Sequence, residues 1–272
     1  MNAPASALRN VPALLRENRD GIALLIMNRP EQRNTLSEMM LASFTEILAE
    51  IAADRVIRAV VLAAAGPVFC AGHDLKELTA RRSDADGGKN YFQHVMETCS
   101  NVMQAIVGLP QPVVAAVQGV ATAAGCQLVG SCDLAVASAK AKFCTPGVNI
   151  GLFCSTPMVA LSRNVAAKHA MEMLLTGDMI SAEEARRIGL VNRVVEPGSE
   201  TEAALALARK IAEKSALVVK IGKEAFYRQR EMPLAEAYRY ASRVMAENMM
   251  ARDAEEGICA LFDKRAPHWE DR

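Results

Sequence analysis

The sequence predicts an α/β fold followed by a helical C-terminal region. In the first two thirds of the chain, short runs of apolar and β-branched residues alternate with longer segments whose apolar side chains recur at helical spacing. From Thr201 onward glycine becomes scarce and helix-forming residues dominate. We therefore expect a core over residues 1–199 and a helical C-terminal region over residues 200–272.

The expected elements begin and end at residues that typically mark turns and caps. Residues 1–18 are expected to form a loose lead-in, and the small residues from Ala121 to Gly125 are expected to open a helix. Ser37 can cap a helix, and Ser181 and Glu184 form a capping box. The expected strands are Ile22–Met27, Ala59–Ala63, Val113–Val117, Asp133–Ala137 and Val191–Val195, and the C-terminal helices are expected over residues 201–214, 216–230, 234–250 and 253–264.

The composition excludes several classes of function. The chain of 272 residues has 31 basic and 31 acidic side chains, so no charge excess points to a nucleic acid or a membrane surface. No run approaches the 18 or so apolar residues of a membrane span. The seven cysteines contain no CxxC pair and the four histidines are scattered, so we expect no metal site. We interpret the thiols as reduced, in a protein of the cytoplasm or, in a eukaryote, of the mitochondrial matrix.

The segment Ala115–Gln127 is the first candidate for a functional site. A predicted buried strand leads to Gly119, and the small residues that follow predict a helix start without bulky side chains. N–H groups in the first turn of a helix have no intrahelical partner and lie at the positive end of the helix dipole. They could stabilise a developing negative charge. Close packing of a helix on a strand also requires small residues, so both interpretations stay open at this point.

Four segments with distinctive residue patterns follow one another along the chain: Asn28–Leu36, Phe69–Leu78, Gln118–Asp133 and Glu256–Pro267. In this order they resemble motifs of the crotonase superfamily, also called the enoyl-CoA hydratase/isomerase superfamily. Each motif is weak alone, but their order makes the resemblance specific over about residues 20–268. The resemblance implies a spiral of β-β-α turns and a C-terminal helical trimerisation region, with a homotrimer or a dimer of trimers as the assembly.

The resemblance also implies the ligand, an acyl-CoA thioester of fatty acid metabolism. Its carbonyl oxygen would lie between the backbone N–H groups of His73 and Ala124, which form an oxyanion hole. Arg33 and Lys76 would meet the nucleotide and a phosphate, although a solvated surface position explains both cations equally well. No separate cofactor is implied, because coenzyme A is part of the substrate. The residues implied to bind the rest of the thioester are Arg33, Ala71, Asp74, Leu75 and Lys76.

Gln127 and Gly147 stand where the hydratases of this superfamily carry two glutamates that hold and activate a water molecule. Gln127 can hydrogen-bond a water but cannot accept its proton, and Gly147 offers only its backbone. One general acid or base contributes about 10²–10⁴-fold to a rate, so we expect little or no hydration. Cys144, Cys154 and Asn149 follow nearby but supply no obvious base.

Three functions therefore remain open. The first is a weak enoyl-CoA hydratase, a lyase by resemblance. The second is an acyl-CoA decarboxylase-like enzyme, which would form the enolate by losing CO₂. The third is a non-catalytic acyl-CoA binder or regulator of fatty acid metabolism. Gly72-His73-Asp74 and Asn149-x-Gly151 resemble the methylmalonyl-CoA decarboxylase branch, whereas Cys154, where that branch carries tyrosine, argues against it.

Overall fold

Residues 11–272 are described by the computed structural model, and they form two sheets and the helices around them. The larger sheet has the strand order β1-β2-β3-β5-β7-β10, and the smaller one has the order β4-β6-β8-β9. The α/β fold is thereby confirmed. The strands are β1 (Leu14–Arg19), β2 (Ile22–Met27), β3 (Ala59–Ala64), β4 (Val68–Cys70), β5 (Val113–Val117), β6 (Val120–Thr122), β7 (Leu134–Ser138), β8 (Lys142–Cys144), β9 (Ile180–Ser181) and β10 (Arg193–Val195).

The helices mostly match the expected segments to within a few residues. Ser37 Oγ accepts a hydrogen bond from the N–H of Met40 at 3.3 Å, and Ser181 Oγ accepts one from the N–H of Glu184 at 3.1 Å, so both serines cap their helices as predicted. The predicted capping box is only half formed within the described residues, because the carboxylate of Glu184 accepts from Arg187 instead. The helices are α1 (Glu38–Ala53), α2 (Leu75–Ala80), α3 (Lys89–Gly108), α4 (Ala124–Ser131), α5 (Pro157–Asn164), α6 (Ala167–Thr176), α7 (Ala182–Arg187), α8 (Glu200–Ala212), α9 (Ala216–Gln229), α10 (Leu234–Met249) and α11 (Arg252–Asp263).

Two sequence predictions are wrong. Residues 14–18 were predicted to belong to a loose lead-in, but they form part of β1, which pairs with β2 in antiparallel register. β1 is an edge strand with an exposed end, so it carries polar side chains like those of a loop. The first ten residues lie outside the described part of the chain. Residues 120–122 form β6 rather than the start of a helix, because this segment pairs with β4 on one side and β8 on the other. The helix begins at Ala124.

The central strands of the larger sheet are apolar on both faces, as expected for parallel strands that are covered on both sides. Alternate residues of β2, β3 and β5 pack on one side with α1 and α3. The residues between them pack on the other side with α8, through Ala204, Leu205 and Ala208. The core therefore has three layers, and α8 forms one of them.

The smaller sheet lies at the edge of this core and supports the candidate site. Its strands β4, β6 and β8 are parallel, and β9 pairs with β8 in antiparallel register. Since parallel neighbours finish at the same edge of a sheet, the chain leaving β4 and the chain leaving β6 meet there. These are the segments that contain His73 and Ala124.

The C-terminal helices carry large apolar side chains that face solvent in the single chain. No helix within residues 11–272 is long and apolar enough to cross a membrane. The domain division at residues 199 and 200 and the trimerising role of these helices stay predictions. The exposed side chains include Leu234, Tyr238, Met245, Met249, Leu261 and Phe262.

Candidate active site

The segments after β4 and β6 come into direct contact. Gly72 has φ +87°, and a Cβ placed on it would lie 3.1 Å from the Cβ of Ala123 and 3.4 Å from the backbone nitrogen of Ala124. A side chain at residue 72 would crowd the start of α4, so glycine is needed both for its conformation and for this approach. His73 and Ala124, which are distant in sequence, therefore belong to adjoining segments.

Both of the candidate N–H groups lack an acceptor. No backbone or side-chain oxygen within residues 11–272 is hydrogen-bonded to the N–H of His73 or of Ala124. Ala123, between β6 and α4, has φ +51° and ψ −119°, a conformation that is strained for a residue with a side chain. Its own N–H donates to the carbonyl of Cys144 at 2.9 Å, so the chain turns there and leaves the N–H of Ala124 at the open end of α4.

Gly125 allows α4 to begin directly against β4. A Cβ on Gly125 would lie 2.2 Å from the carbonyl oxygen of Cys70 and 2.9 Å from its Cβ, which no side chain can occupy without movement. The close packing of a helix on a strand, one of the two interpretations that the sequence left open, is thereby confirmed. A site for a developing negative charge at the same helix start stays a prediction.

The segment Ala71–His73 is held by the loop that follows β2. The N–H of Ala71 donates to the carbonyl of Arg33 at 3.0 Å, and the N–H of Leu36 donates to the carbonyl of Gly72 at 2.8 Å. Arg33 has φ +55°, and its side chain is exposed. The backbone of Arg33 is therefore tied to the candidate site, whereas its guanidinium forms no ion pair within the described residues.

Asn34 fixes this loop, and sequence reasoning missed it. Its side chain is fully buried, and its Nδ2 donates to the carbonyls of Ala65 and Val68, both at 2.9 Å. Its Oδ1 accepts from the N–H of Arg29 at 2.8 Å. With φ +52°, Asn34 also adopts the left-handed conformation that asparagine tolerates better than most residues. The signal for this role in the sequence was the place of Asn34 between the turn at Pro30 and the helix cap at Ser37.

Asp74 caps α2. Its Oδ1 accepts from the N–H groups of Lys76 at 2.9 Å and Glu77 at 3.3 Å, and its Oδ2 accepts from the hydroxyl of Thr35 at 3.3 Å. The Asp-x-x-Glu pattern was a signal for this helix that the sequence analysis did not use. Leu75 and Lys76 are exposed in the first turn of α2.

The imidazole of His73 is enclosed by protein. Both ring nitrogens are buried, and neither has a hydrogen-bond partner among residues 11–272. Burial lowers the pKa of His73, and the nearby backbone of Leu36 only partly opposes this effect. The ring is therefore neutral near pH 7.

Gln127 and Gly147 supply no proton acceptor. Gln127 is 5% exposed, and its Oε1 has no hydrogen-bond partner in the described part of the chain. The N–H of Gly147 donates to Cys154 Sγ at 3.3 Å, and a Cβ on Gly147 would lie 2.9 Å from that sulfur and from the carbonyl oxygen of Leu152. A glutamate therefore does not fit at residue 147 without movement of this loop.

The thiols near Gly147 are poor bases and poor nucleophiles. Burial is the largest cause that raises the pKa of Cys126, Cys144 and Cys154, and the neighbouring thiols add a smaller effect for Cys126 and Cys144. No cluster of three or more histidine, cysteine, aspartate or glutamate side chains within residues 11–272 could hold a metal ion. These side chains therefore offer little acid–base chemistry beside the two N–H groups that lack an acceptor in the described part of the chain.

Comparisons with known proteins agree with this fold. The family model described as enoyl-CoA hydratase/isomerase matches residues 17–272. The mitochondrial enoyl-CoA hydratase domain-containing protein 3 of Rattus norvegicus is 49% identical over 250 residues, which cover 92% of this chain and 82% of the rat protein. The corresponding protein of Homo sapiens, also named mitochondrial, is 48% identical over 250 residues, 92% of this chain and 81% of the human protein.

Solved structures extend the comparison to three dimensions. A crystal structure of an enoyl-CoA hydratase from Mycobacterium smegmatis has a TM-score of 0.90 and 49% identity, and it covers 95% of this chain and 99% of that one. The crystal structure of human enoyl-CoA hydratase domain-containing protein 3 has a TM-score of 0.87 and 47% identity, and it covers 94% of this chain and 100% of the human one. The chain therefore belongs to the enoyl-CoA hydratase/isomerase family, the crotonase superfamily that its four sequence motifs resemble.

Proposed function

We propose that this protein binds acyl-CoA thioesters and has weak or no hydratase activity. The observation that carries the proposal is the pair of unbonded N–H groups of His73 and Ala124 on adjoining segments. The names of the relatives support the substrate class, since they are called enoyl-CoA hydratases or proteins with an enoyl-CoA hydratase domain.

The two N–H groups would donate hydrogen bonds to the thioester oxygen and stabilise it as charge develops. Removing a proton beside the thioester, adding water to an enoyl chain or losing CO₂ each places negative charge on that oxygen as an enolate. Removing one donor of an oxyanion hole typically costs about 3 kcal/mol of transition-state stabilisation. The N-terminus of α4, at Ala124, adds the favourable end of the helix dipole.

The residues around this pair would bind the rest of the ligand. Ala71 and Leu75 would border the channel for coenzyme A, with Lys76 and Arg33 as exposed cations for its phosphates and nucleotide. Asp74 would contribute by capping α2 and so fixing the course of the chain after His73. Coenzyme A is part of the substrate in this proposal, and no further cofactor is needed.

Gln127 and Gly147 argue against efficient hydration. Neither can accept a proton from water, and Gly147 has no space for a longer side chain. The same observation favours decarboxylation as a second candidate, because loss of CO₂ forms the enolate without a base. A non-catalytic acyl-CoA binder is the third possibility, and it differs from the others by binding without turnover.

The assembly and the compartment remain parts of the proposal. The exposed apolar side chains of α10 and α11 are consistent with a homotrimer, or a dimer of trimers, in which a neighbouring copy covers them. The expected compartment is the cytoplasm or, in a eukaryote, the mitochondrial matrix, and the curated rat and human relatives are named mitochondrial.

The test combines binding with turnover on one protein sample. Isothermal titration with butanoyl-CoA should show saturable binding, which Ala124→Trp should abolish because the new ring blocks the start of α4. A spectrophotometric assay with crotonyl-CoA should show little or no hydration, and CO₂ release from a malonyl-type thioester would identify the decarboxylase. Absence of thioester binding would refute the proposal, and hydration at the rate of an ordinary hydratase would refute its second half.

A further inference from the structure

A cavity of about 510 Å³ lies between α3, α4, α5 and α9, a size typical of sites for small molecules. Gln127 and Ser131 both line it and follow Ala124 by three and seven residues, so the cavity lies against α4 beyond the first turn of this helix. The Oε1 atom of Gln127 is buried without a partner in residues 11–272.

The side chains that line the cavity are mostly apolar and buried in its inner part and charged and exposed at its mouth. Gln127 and Met103 are each 5% exposed, whereas Val159 is 48% exposed. The side chain of Arg163 is 51% exposed, and Arg230 is also an exposed residue. The inner part of the cavity therefore combines apolar side chains with the amide of Gln127 and the hydroxyl of Ser131, and its mouth carries guanidinium groups.

The charge at the mouth is incompletely balanced. Arg163 pairs with Glu231, with Nε and Oε1 3.3 Å apart. Arg230 donates to the carbonyl oxygen of Arg163, and its guanidinium carbon lies 5.5 Å from the ring centre of Phe226, but it forms no ion pair within the described residues. Because a guanidinium has five N–H donors, most of those on Arg230 remain available to an anion.

A buried network anchors α9, and Arg230 directly follows the last residue of this helix. Lys223, Tyr227 and Arg230 are spaced by four and three residues. Lys223 Nζ lies 2.7 Å from Asp133 Oδ2, and the hydroxyl of Tyr227 donates to Asp133 Oδ1 at 3.0 Å. The side chains of Lys223 and Asp133 are only 7% and 14% exposed. The helix that carries Arg230 is thus anchored to the core beside the cavity.

We infer that this cavity accepts an acyl chain that ends in a carboxylate, so that the preferred ligand is the coenzyme A monothioester of a dicarboxylic acid. The inference rests on the proposed function, which places the thioester beside Ala124. The methylene groups would then pack along Met103 and Val159, and the far carboxylate would pair with the free fork of Arg230. A chain that ends in a methyl group would instead leave its apolar end at a charged mouth.

The test compares two thioesters that differ at the far end of the chain. Isothermal titration at low salt should show hexanedioyl-CoA binding about threefold to tenfold more tightly than hexanoyl-CoA, a modest ratio because the mouth is exposed. Added salt should reduce the preference. Arg230→Met should remove the preference while leaving the affinity for hexanoyl-CoA unchanged. Dicarboxylic thioesters of four to ten carbons would identify the chain length that reaches Arg230.

Arg228→Met is the matched control, because Arg228 lies on the same helix but its guanidinium lies over the ring of Tyr240, 5.0 Å from the centre. This variant should retain the full preference for the dicarboxylic thioester. Equal affinity for the two thioesters, or a preference that survives in Arg230→Met, would overturn the inference alone. If neither thioester bound to the folded wild-type protein, both the proposed function and this inference would be refuted.

Discussion

Replacing Gly125 by alanine tests whether the contact between α4 and β4 sets the geometry of the candidate site. The new Cβ would lie 2.2 Å from the carbonyl oxygen of Cys70, whereas ordinary contact begins near 3.4 Å. The first turn of α4 must therefore move by roughly 1 Å, and overpacking of this kind costs about 1–3 kcal/mol of stability. Urea unfolding of Gly125→Ala and of the wild-type protein measures this difference.

The same displacement should weaken ligand binding. A shift of about 1 Å at Ala124 takes a hydrogen bond of ordinary length beyond its useful range. The net loss of one hydrogen bond is about 0.5–1.5 kcal/mol, which corresponds to about twofold to tenfold weaker binding of butanoyl-CoA in isothermal titration. Binding should be measured well below the unfolding transition, so that the two effects remain separate.

Gly222→Ala provides the matched control. Gly222 lies inside α9, and a Cβ placed on it has no atom within 4 Å. This substitution should stabilise the protein by about 0.5–1 kcal/mol, because alanine is the better helix former, and should leave binding unchanged. If Gly125→Ala were as stable as the wild-type protein and bound the thioester equally well, the reasoning about the close contact would be refuted.

Three further predictions concern the surroundings of the site. Asn34→Ala should destabilise the protein by about 1–3 kcal/mol for each buried backbone group it leaves unpaired, and should weaken thioester binding; unchanged urea unfolding would contradict this. Lys223→Met should lower the free energy of unfolding by about 3–5 kcal/mol in the same assay, because the substitution leaves Asp133 buried without its cation. A decrease of less than about 1 kcal/mol would contradict this prediction. Iodoacetamide at pH 8 should label Cys259 first in the native protein, because Cys259 alone of the seven thiols is exposed and burial raises the pKa of Cys70 to about 12. Peptide mapping that finds Cys70 labelled at a similar rate would contradict this prediction.

The sequence was informative where structure follows from local periodicity. Val113–Val117 was predicted as a buried strand from its apolar run, and the structure has a strand with the same bounds. Ser37 was predicted as a cap from its position before an amphipathic segment, and it caps α1. β6 was missed because its strand character comes from pairing with β4 and β8, which are distant in sequence. β1 pairs with its neighbour β2 and was missed because an exposed edge strand carries polar side chains like those of a loop.

The geometry of the site depends on tertiary contacts that no local pattern encodes. That His73 adjoins Ala124 follows from the parallel pairing of β4 with β6 and from the close approach at Gly72. The strained conformation of Ala123 is not one that its residue type suggests. Arg230 could be related to Gln127 only once α9 was seen beside α4. The roles of His73 and Ala124 came from the resemblance to a family, and they remain predictions.

The most direct test of the central claim is a crystal structure of the protein with a saturated acyl-CoA, which cannot be hydrated. The proposal predicts that the thioester carbonyl oxygen lies about 2.7–3.2 Å from the backbone nitrogens of both His73 and Ala124. A thioester bound elsewhere, or a carbonyl oxygen more than about 3.5 Å from either nitrogen, would contradict it.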